Sequence, residues 1–435
     1  MKNFVSFRAG FFLLVLLNAC GEKNVTNVSE YGKFLQPNIK NKNLEQVEAE
    51  RKFWQERVNK NPGDITAQSK LAGTMSRRFS CSGKIADIHT SDSLYQLVNS
   101  YNRATSSGIF RSLAANCITQ HRFQQAQAYI DSALALGDDK YSTTLQEFDV
   151  AMELGNYPRA KQALKNLENK KGFDYLIRES KYNDQVNGDL DKAIELMEQA
   201  YAALPPNPSP SLYVWIKSNL GDMYGHANRF KDSYNSYLEA LAKDPHDYHA
   251  LKGIGWLAFS HDKDLVNAKK IITYLKQQHP VPDYDLLLAE IAAYENDSIA
   301  QKKHRDNFIT AVQNGMYGDM YNKYLFNLQA DELNNVDGAF AIAKKEVRNR
   351  PTPEAFGWLA WAYCKKGDMS NALQTSGWYV ENKCYEPEIL YYVGMIYQAN
   401  GNKTMARKYL QEASLASYEL GPATSAQIRE ILANL

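Results

Sequence analysis

The chain has 435 residues, with 50 Lys plus Arg against 49 Asp plus Glu and a formal net charge of +1. That balance argues against a nucleic-acid binder, which needs a net basic surface to engage phosphates. With 44% hydrophobic and 23% charged residues, neither wholesale disorder nor a multispanning membrane protein fits. Length alone suggests about three ordinary domains, a prior that fails for an array of repeats.

Lys2 and Arg8 precede the apolar run Ala9-Gly10-Phe11-Phe12-Leu13-Leu14-Val15-Leu16-Leu17 and then Asn18-Ala19-Cys20. A run this short does not span a bilayer, which takes about 20 apolar residues, and reads as a secretory signal. Leu17-Asn18-Ala19-Cys20 resembles the bacterial lipobox. By that resemblance residues 1–19 are removed and Cys20 becomes the acylated N-terminus, carrying chains such as palmitate, each buried methylene adding about 0.8 kcal/mol to anchoring. Gly21 in place of an aspartate after the cysteine favours the outer membrane of a bacterial envelope. Residues 20–43 are polar without apolar periodicity and are expected as a lipidated, flexible tether. Losing Lys2 and Arg8 leaves 48 basic against 49 acidic residues, a net of −1.

From about Leu44 onward apolar residues recur at i, i+3, i+4 and i+7, as amphipathic helices require, and no segment alternates as a strand would. An all-α chain is expected. Helix-sized stretches alternate with breaks such as Gly155-Asn156, Asn187-Gly188-Asp189, Lys366-Gly367-Asp368 and Asn400-Gly401-Asn402, residues that close helices and turn the chain. Small residues stand early in every second helix at Ala126, Ala160, Ala193, Ser233, Ala268, Ala339, Ala372 and Ala406. Their gaps centre on about 34, with one double-length gap whose middle member, near Gln301, is degenerate.

Leu220-Gly221 with Tyr224, Ser233, Tyr237, Ala240 and Pro245 resembles the tetratricopeptide repeat. So do Val393-Gly394 with Tyr397, Ala406, Leu410 and Ala413; Leu359-Ala360 with Tyr363 and Ala372; and Ile254-Gly255 with Ala258, Ala268 and Pro280. The resemblance implies a superhelical solenoid of about nine to ten helical hairpins between Ile65 and Tyr418, closed by a capping helix from Pro422 to Leu435. Residues 44–204 form an N-terminal array and 212–435 a C-terminal array with the cap; the stretch from Asp64 to Ala104 matches poorly. Between the arrays, the Pro-rich loop 205–211 cannot be helical. It is either a longer inter-repeat loop or a joint that adjusts on binding.

Catalytic motifs are missing: no GxxxxGK[ST] loop, GxSxG elbow, HExxH helix or CxxC pair occurs. Gly253-Ile254-Gly255 sits inside a repeat helix with no strand before it, and the histidines of His246-Asp247-Tyr248-His249 lack a complementary carboxylate spacing for a metal. A non-enzymatic protein without cofactor or metal is expected. On the oxidising side of a membrane disulfides persist. Cys364 and Cys384 are separated by helical rise of about 20 Å, whereas Cys81 and Cys117 fall near the ends of parallel first helices in adjacent repeats and are expected to pair.

The family resemblance also implies that first helices line a concave groove. Carried over, it places Trp215, Asp222 and His226 there, then His249, Lys252, Trp256 and Phe259, then Glu290 and Tyr294, Tyr321 and Tyr324, Glu354 and Trp361, and Tyr391. Aromatic side chains make good anchors there, burying much area at little rotamer cost. Positions that clamp chaperone carboxylates in some relatives hold Ser218 and Asp222, so that specificity is not implied. The leading expectation is a lipid-anchored scaffold or adaptor that binds a peptide segment or envelope protein in its groove, and no nucleic acid. The alternative is a surface glycan-binding lipoprotein, for whose usual large non-repeat portion the chain has no room.

Overall fold

The computed structural model describes residues 24–313 and 316–435. The expected signal segment and the expected acylation site Cys20 lie outside the described residues. A short helix α1 (Val28–Tyr31) and a long α2 (Lys42–Lys60) precede ten helical hairpins. These are α3 (Ile65–Ser82) with α4 (Ile85–Tyr101), α5 (Ser107–Thr119) with α6 (Phe123–Leu136), α7 (Lys140–Glu153) with α8 (Tyr157–Leu167), and α9 (Phe173–Tyr182) with α10 (Leu190–Ala202). Next come α11 (Pro210–His226) with α12 (Phe230–Lys243), α13 (Tyr248–Trp256) with α14 (Leu265–Gln278), and α15 (Asp283–Tyr294) with α16 (Ser298–Gln313). Then follow α17 (Asn322–Asn327) with α18 (Val336–Asn349), α19 (Pro353–Lys365) with α20 (Met369–Thr375), and α21 (Pro387–Ala399) with α22 (Lys403–Ser414). The last helix is α23 (Ser417–Asn434), kinked at Gly421, whose φ is 76°. Among the described residues there are no strands. The all-α hairpin solenoid expected from the repeats is what the chain forms.

The turn inside each hairpin has a local cause. A residue in the left-handed region turns the chain, and in most hairpins the next side chain caps the second helix: Gly188 then Asp189, Gly367 then Asp368, Gly401 then Asn402. Lys84, Arg122 and Arg229 at the start of α4, α6 and α12 make no such cap. The capping oxygen satisfies an amide that the helix start leaves without a partner. All eight phased small residues, Ala126 through Ala406, have no exposed surface. Their size lets the second helix seat against the first, and any larger side chain would force them apart. Tyr237 of α12 fills the space between successive first helices, its ring lying where a Cβ on Gly221 or Gly253 would stand. The poorly matched hairpin α3–α4 is a genuine unit with a polar seam: Ser76 Oγ is 2.6 Å from Ser91 Oγ, and Asn116 Nδ2 donates to Ser91 Oγ at 3.0 Å. Hydrogen bonding across that seam takes the place of apolar patterning, which is why the repeat is faint there.

The solenoid winds until it meets itself. His89 Nε2 lies 2.6 Å from the carbonyl oxygen of Met316, Asn349 Nδ2 donates to the His121 carbonyl at 2.8 Å, and Asn228 Nδ2 to that of Leu415 at 3.4 Å. These partners are 187 to 228 residues apart. Gly155 backs onto Pro351 and Thr352, and Gly188 onto the ring of Tyr385. Turns within the early hairpins thus abut turns between the late ones, closing a coil. These contacts bridge the Pro-rich loop. One apolar cluster also runs through it, from Ile194, Met197 and Ala200 by way of Leu204 to Ile216 and Leu220. The expected non-helical loop is corrected at its end: Ser209 caps α11, so Pro210 and Ser211 form the first turn of that helix, a proline being compatible with the first helical position.

The expected flexible tether is corrected from Asn24 onward. Val25 N–H and Thr26 N–H each donate to Asp262 at 2.9 Å, Thr26 Oγ1 adds a bond of 2.6 Å, and Asn27 N–H donates to Tyr234 Oη at 3.0 Å. Tyr31 and Phe34 are buried among α12 and α14 side chains, and His246 Nε2 lies 3.1 Å from the Ile39 carbonyl oxygen. The segment is a strap, polar in composition because its backbone is satisfied by side chains and only two rings need burial. The expected Cys81–Cys117 bridge is also corrected. Cys81, Cys117, Cys364 and Cys384 are all free thiols. Cys117 is buried in the apolar cluster of Ala114, Phe123 and Ile130, and burial pushes its thiol up to about 12. Cys81 instead faces a cavity beside Asp244.

Candidate functional site: the concave wall

First helices pack on the first helices of the next hairpins, α11 on α13 and α19 on α21, and form the inner wall of the coil. The expected groove residues divide into three groups there. Trp215, His226, His249, Tyr294 and Tyr324 are exposed; Asp222, Lys252, Trp256, Glu290, Glu354 and Tyr391 are half-buried. Phe259, Tyr321 and Trp361 are corrected to core positions. Phe259 packs edge-on against Trp256, Tyr321 donates to Asp283 Oδ1 at 2.6 Å, and Trp361 stacks on Tyr392 while its Nε1 donates to Asp331 at 3.0 Å. Sequence spacing placed each on the inward-facing helix but could not tell the wall from the seam between neighbours, one helical position away.

Part of the wall is covered by the chain's own C-terminal helix. Trp256 Nε1 and Ser260 Oγ both donate to the Tyr418 carbonyl, at 3.1 and 2.6 Å. His226 Nδ1 is 3.7 Å from Glu419 Oε2, and a Cβ on Gly421 would lie 2.5 Å from Glu290 Oε1. Trp256, Glu290 and His226 are therefore occupied by the start of α23. Asp222 is likewise committed: it accepts from Tyr237 Oη at 2.6 Å and pairs with His249 Nε2 at 2.6 Å. Burial alone would lower the His249 imidazole, but the hydrogen bond and charge of Asp222 outweigh it and hold its pKa above the usual value. Ser218 bonds Asp247, the cap of α13. His249 and Lys252 face a cavity of about 380 Å³ with His246, His279, Cys81 and Asn43. Its other two imidazoles are used by the fold, His246 on the strap and His279 stacked on Tyr248 with ring centroids 5.0 Å apart. Among the described residues no three His, Cys, Asp or Glu side chains are placed to hold a metal ion.

The open wall runs along α17, α19 and α21. Lys323 Nζ lies 3.4 Å from Glu354 Oε1 and 3.6 Å from Glu388 Oε2, and Arg350 Nη2 is 3.0 Å from Glu354 Oε2. Burial lowers the Lys323 ammonium, yet Glu388 and Glu354 more than reverse it and raise its pKa. Glu386, with no cation within bonding distance in the described structure, is pushed up to about 7 by burial and by Glu354. Burial also raises Glu388, and with Glu332 raises Glu290 to about 7. Tyr324 lies within the field of Glu388 and Glu354, and Tyr391 stands one helical turn after Glu388 on α21. Lys323, Glu386 and Glu388 were missed from the sequence. Glu388 follows Pro387 as Glu354 follows Pro353, one repeat earlier, so the period alone would have found it.

No family model matches the chain, and no curated protein matches it. Among solved structures it is similar to a tetratricopeptide repeat protein from Parabacteroides merdae, at 18% identity over 60% of this chain and 97% of that one with a TM-score of 0.34. It is similar to the Cut9–Hcn1 hetero-tetramer of the APC/C, at 12% identity over 93% and 91% with a TM-score of 0.43. It is also similar to a human IFIT1 dimer with m7Gppp-AAAA, at 14% identity over 89% and 92% with a TM-score of 0.44. These likenesses concern the fold only, and the hairpin geometry above stands without them.

Proposed function

We propose that the protein is a non-catalytic interaction scaffold, anchored by an acylated Cys20 in the bacterial envelope, that holds a cationic segment of a partner protein against the inner wall of its coil. The observation that carries this reading is the acidic floor at Glu354, Glu386 and Glu388: Lys323 pairs with Glu354 and Glu388, Arg350 pairs with Glu354, and Glu386 is left without a cation in bonding distance among the described residues. Carboxylates enclosed with too few counter-charges are costly in the free protein, and a bound Lys or Arg side chain offsets that cost. Tyr324 and Tyr391 at its border supply the apolar contact that a peptide also needs. Placement at the outer membrane follows from the lipobox resemblance and Gly21.

The test is photocrosslinking in cells from a benzoylphenylalanine at Tyr324. The expected result is one envelope protein joined through a basic segment. Adducts confined to glycan would favour the alternative reading of a nutrient-binding lipoprotein, and the absence of any adduct would contradict the groove as a binding surface.

A further inference from the structure

The three most exposed large apolar side chains among the described residues are Ile299, Val266 and Leu415, at 84%, 76% and 75%. They are far apart in sequence but share one edge of the coil. Val266 and Ile299 are each the second residue of a second helix, α14 and α16. Leu415 meets the preceding hairpin turn through the bond from Asn228 to its carbonyl. The turns at Asn228, Lys263 and Asn296 are consecutive along that edge, and Lys269 ties the second to the third through Glu295 at 2.8 Å. A folded protein leaves isolated apolar side chains exposed at random; a row of them along one edge is a contact surface.

What covers the row is indicated by where the chain arrives. Val25 and Thr26 are fixed to Asp262, in the middle turn of the three. Cys20 lies five residues before Val25, so covalent geometry keeps it within about 18 Å of this edge. Charges of both signs stand here: Lys263, which donates to the Ser260 carbonyl, beside the helix caps Asp264 and Asp297.

We propose that the edge formed by Val266, Ile299 and Leu415 rests on the phospholipid surface, so that the strap sets the orientation of the coil on the membrane as well as its attachment. This deepens the anchored-scaffold reading and rests on acylation of Cys20. Strap and lipid then act as two signals, the second chemical and the first geometric, and the open wall along α17 to α21 is presented in one direction.

The full chain purified from its producing membrane is placed in vesicles of phosphatidylethanolamine and phosphatidylglycerol, with benzoylphenylalanine in place of Val266, Ile299 or, as the control, exposed Trp378. Positions this exposed accept the probe without repacking. After illumination, lipid adducts are expected several-fold more at positions 266 and 299 than at 378. Equal yields at all three, or adducts to protein only, on a chain whose intact mass shows an acylated Cys20, would overturn the orientation and leave the anchor standing. An intact mass without acyl chains would overturn both.

Discussion

Asn349 donates its side-chain amide to the backbone carbonyl of His121 across 2.8 Å and 228 residues of sequence. Through this bond and its neighbours at His89, Asn228 and Gly188, one turn of the superhelix is laid on the next. Gly188 marks a tight approach, since a Cβ there would lie 2.6 Å from the Tyr385 ring, at a φ of +66°. Gly188→Ala should therefore cost about 1 to 3 kcal/mol through backbone strain and overpacking, and should widen the coil. Small-angle scattering checks this as an increase in radius of gyration, with helix content by circular dichroism unchanged.

Asp262 is the clasp of the strap. Its carboxylate has no exposed side-chain surface and accepts two backbone amides and one hydroxyl. Hydrogen bonds to a charged group contribute roughly 1.5 to 3 kcal/mol each, less when lost together. Asp262→Ala should release residues 25–36 and make them sensitive to limited proteolysis, while the helical array stays resistant. Time courses of cleavage resolved by mass spectrometry separate the two.

The core discriminates between glycines. At Gly221 the added Cβ of an alanine would overlap the Tyr237 ring, so Gly221→Ala is expected to destabilise by about 1 to 3 kcal/mol. At Gly377 the nearest atom would be the end of Glu381, 3.9 Å away, and alanine there should be neutral or slightly stabilising. Chemical denaturation of the two variants provides the comparison.

Burial pushes the Glu290 and Glu386 carboxyls up to about 7, above the ordinary value of 4.5. A raised folded-state pKa means that the native protein prefers the protonated form. Their contribution to stability is thus fullest below the unfolded pKa and is lost as pH rises from 4.5 through about 7. Partner binding has the opposite dependence, because a cationic segment needs the ionised floor. Affinity should rise with pH up to about 8, and calorimetry near neutral pH in buffers of different ionisation enthalpy should show protons released on binding. Glu386→Gln should flatten part of that dependence.

Repeats were legible in the sequence because packing repeats: every small residue on the period is buried, and every Gly-Asp or Gly-Asn break is a turn. Other features left no periodic signal. The strap is held by Asp262, Tyr234 and His246, partners more than two hundred residues distant, so nothing local distinguishes Thr26 or Tyr31 from tether. Coil closure has the same character, since His121 and Asn349 look like ordinary turn residues. Groove residues were found on the right helices, yet Phe259, Tyr321 and Trp361 were lost to the core. Large aromatics at inward positions are what the seam between hairpins also requires. Cys81 and Cys117 share an element type but not a neighbourhood, and only the structure separates a cavity wall from an apolar cluster.

The most direct measurement is the affinity of the crosslinked envelope partner for the full chain and for its Tyr324→Ala/Glu386→Gln variant, beside a Trp378→Ala control on an exposed aromatic outside the wall. A loss of about tenfold or more in the double variant, equivalent to about 1.4 kcal/mol, with the control unchanged, is the expected result. Equal affinity in all three proteins would contradict the acidic inner wall as the seat of the partner.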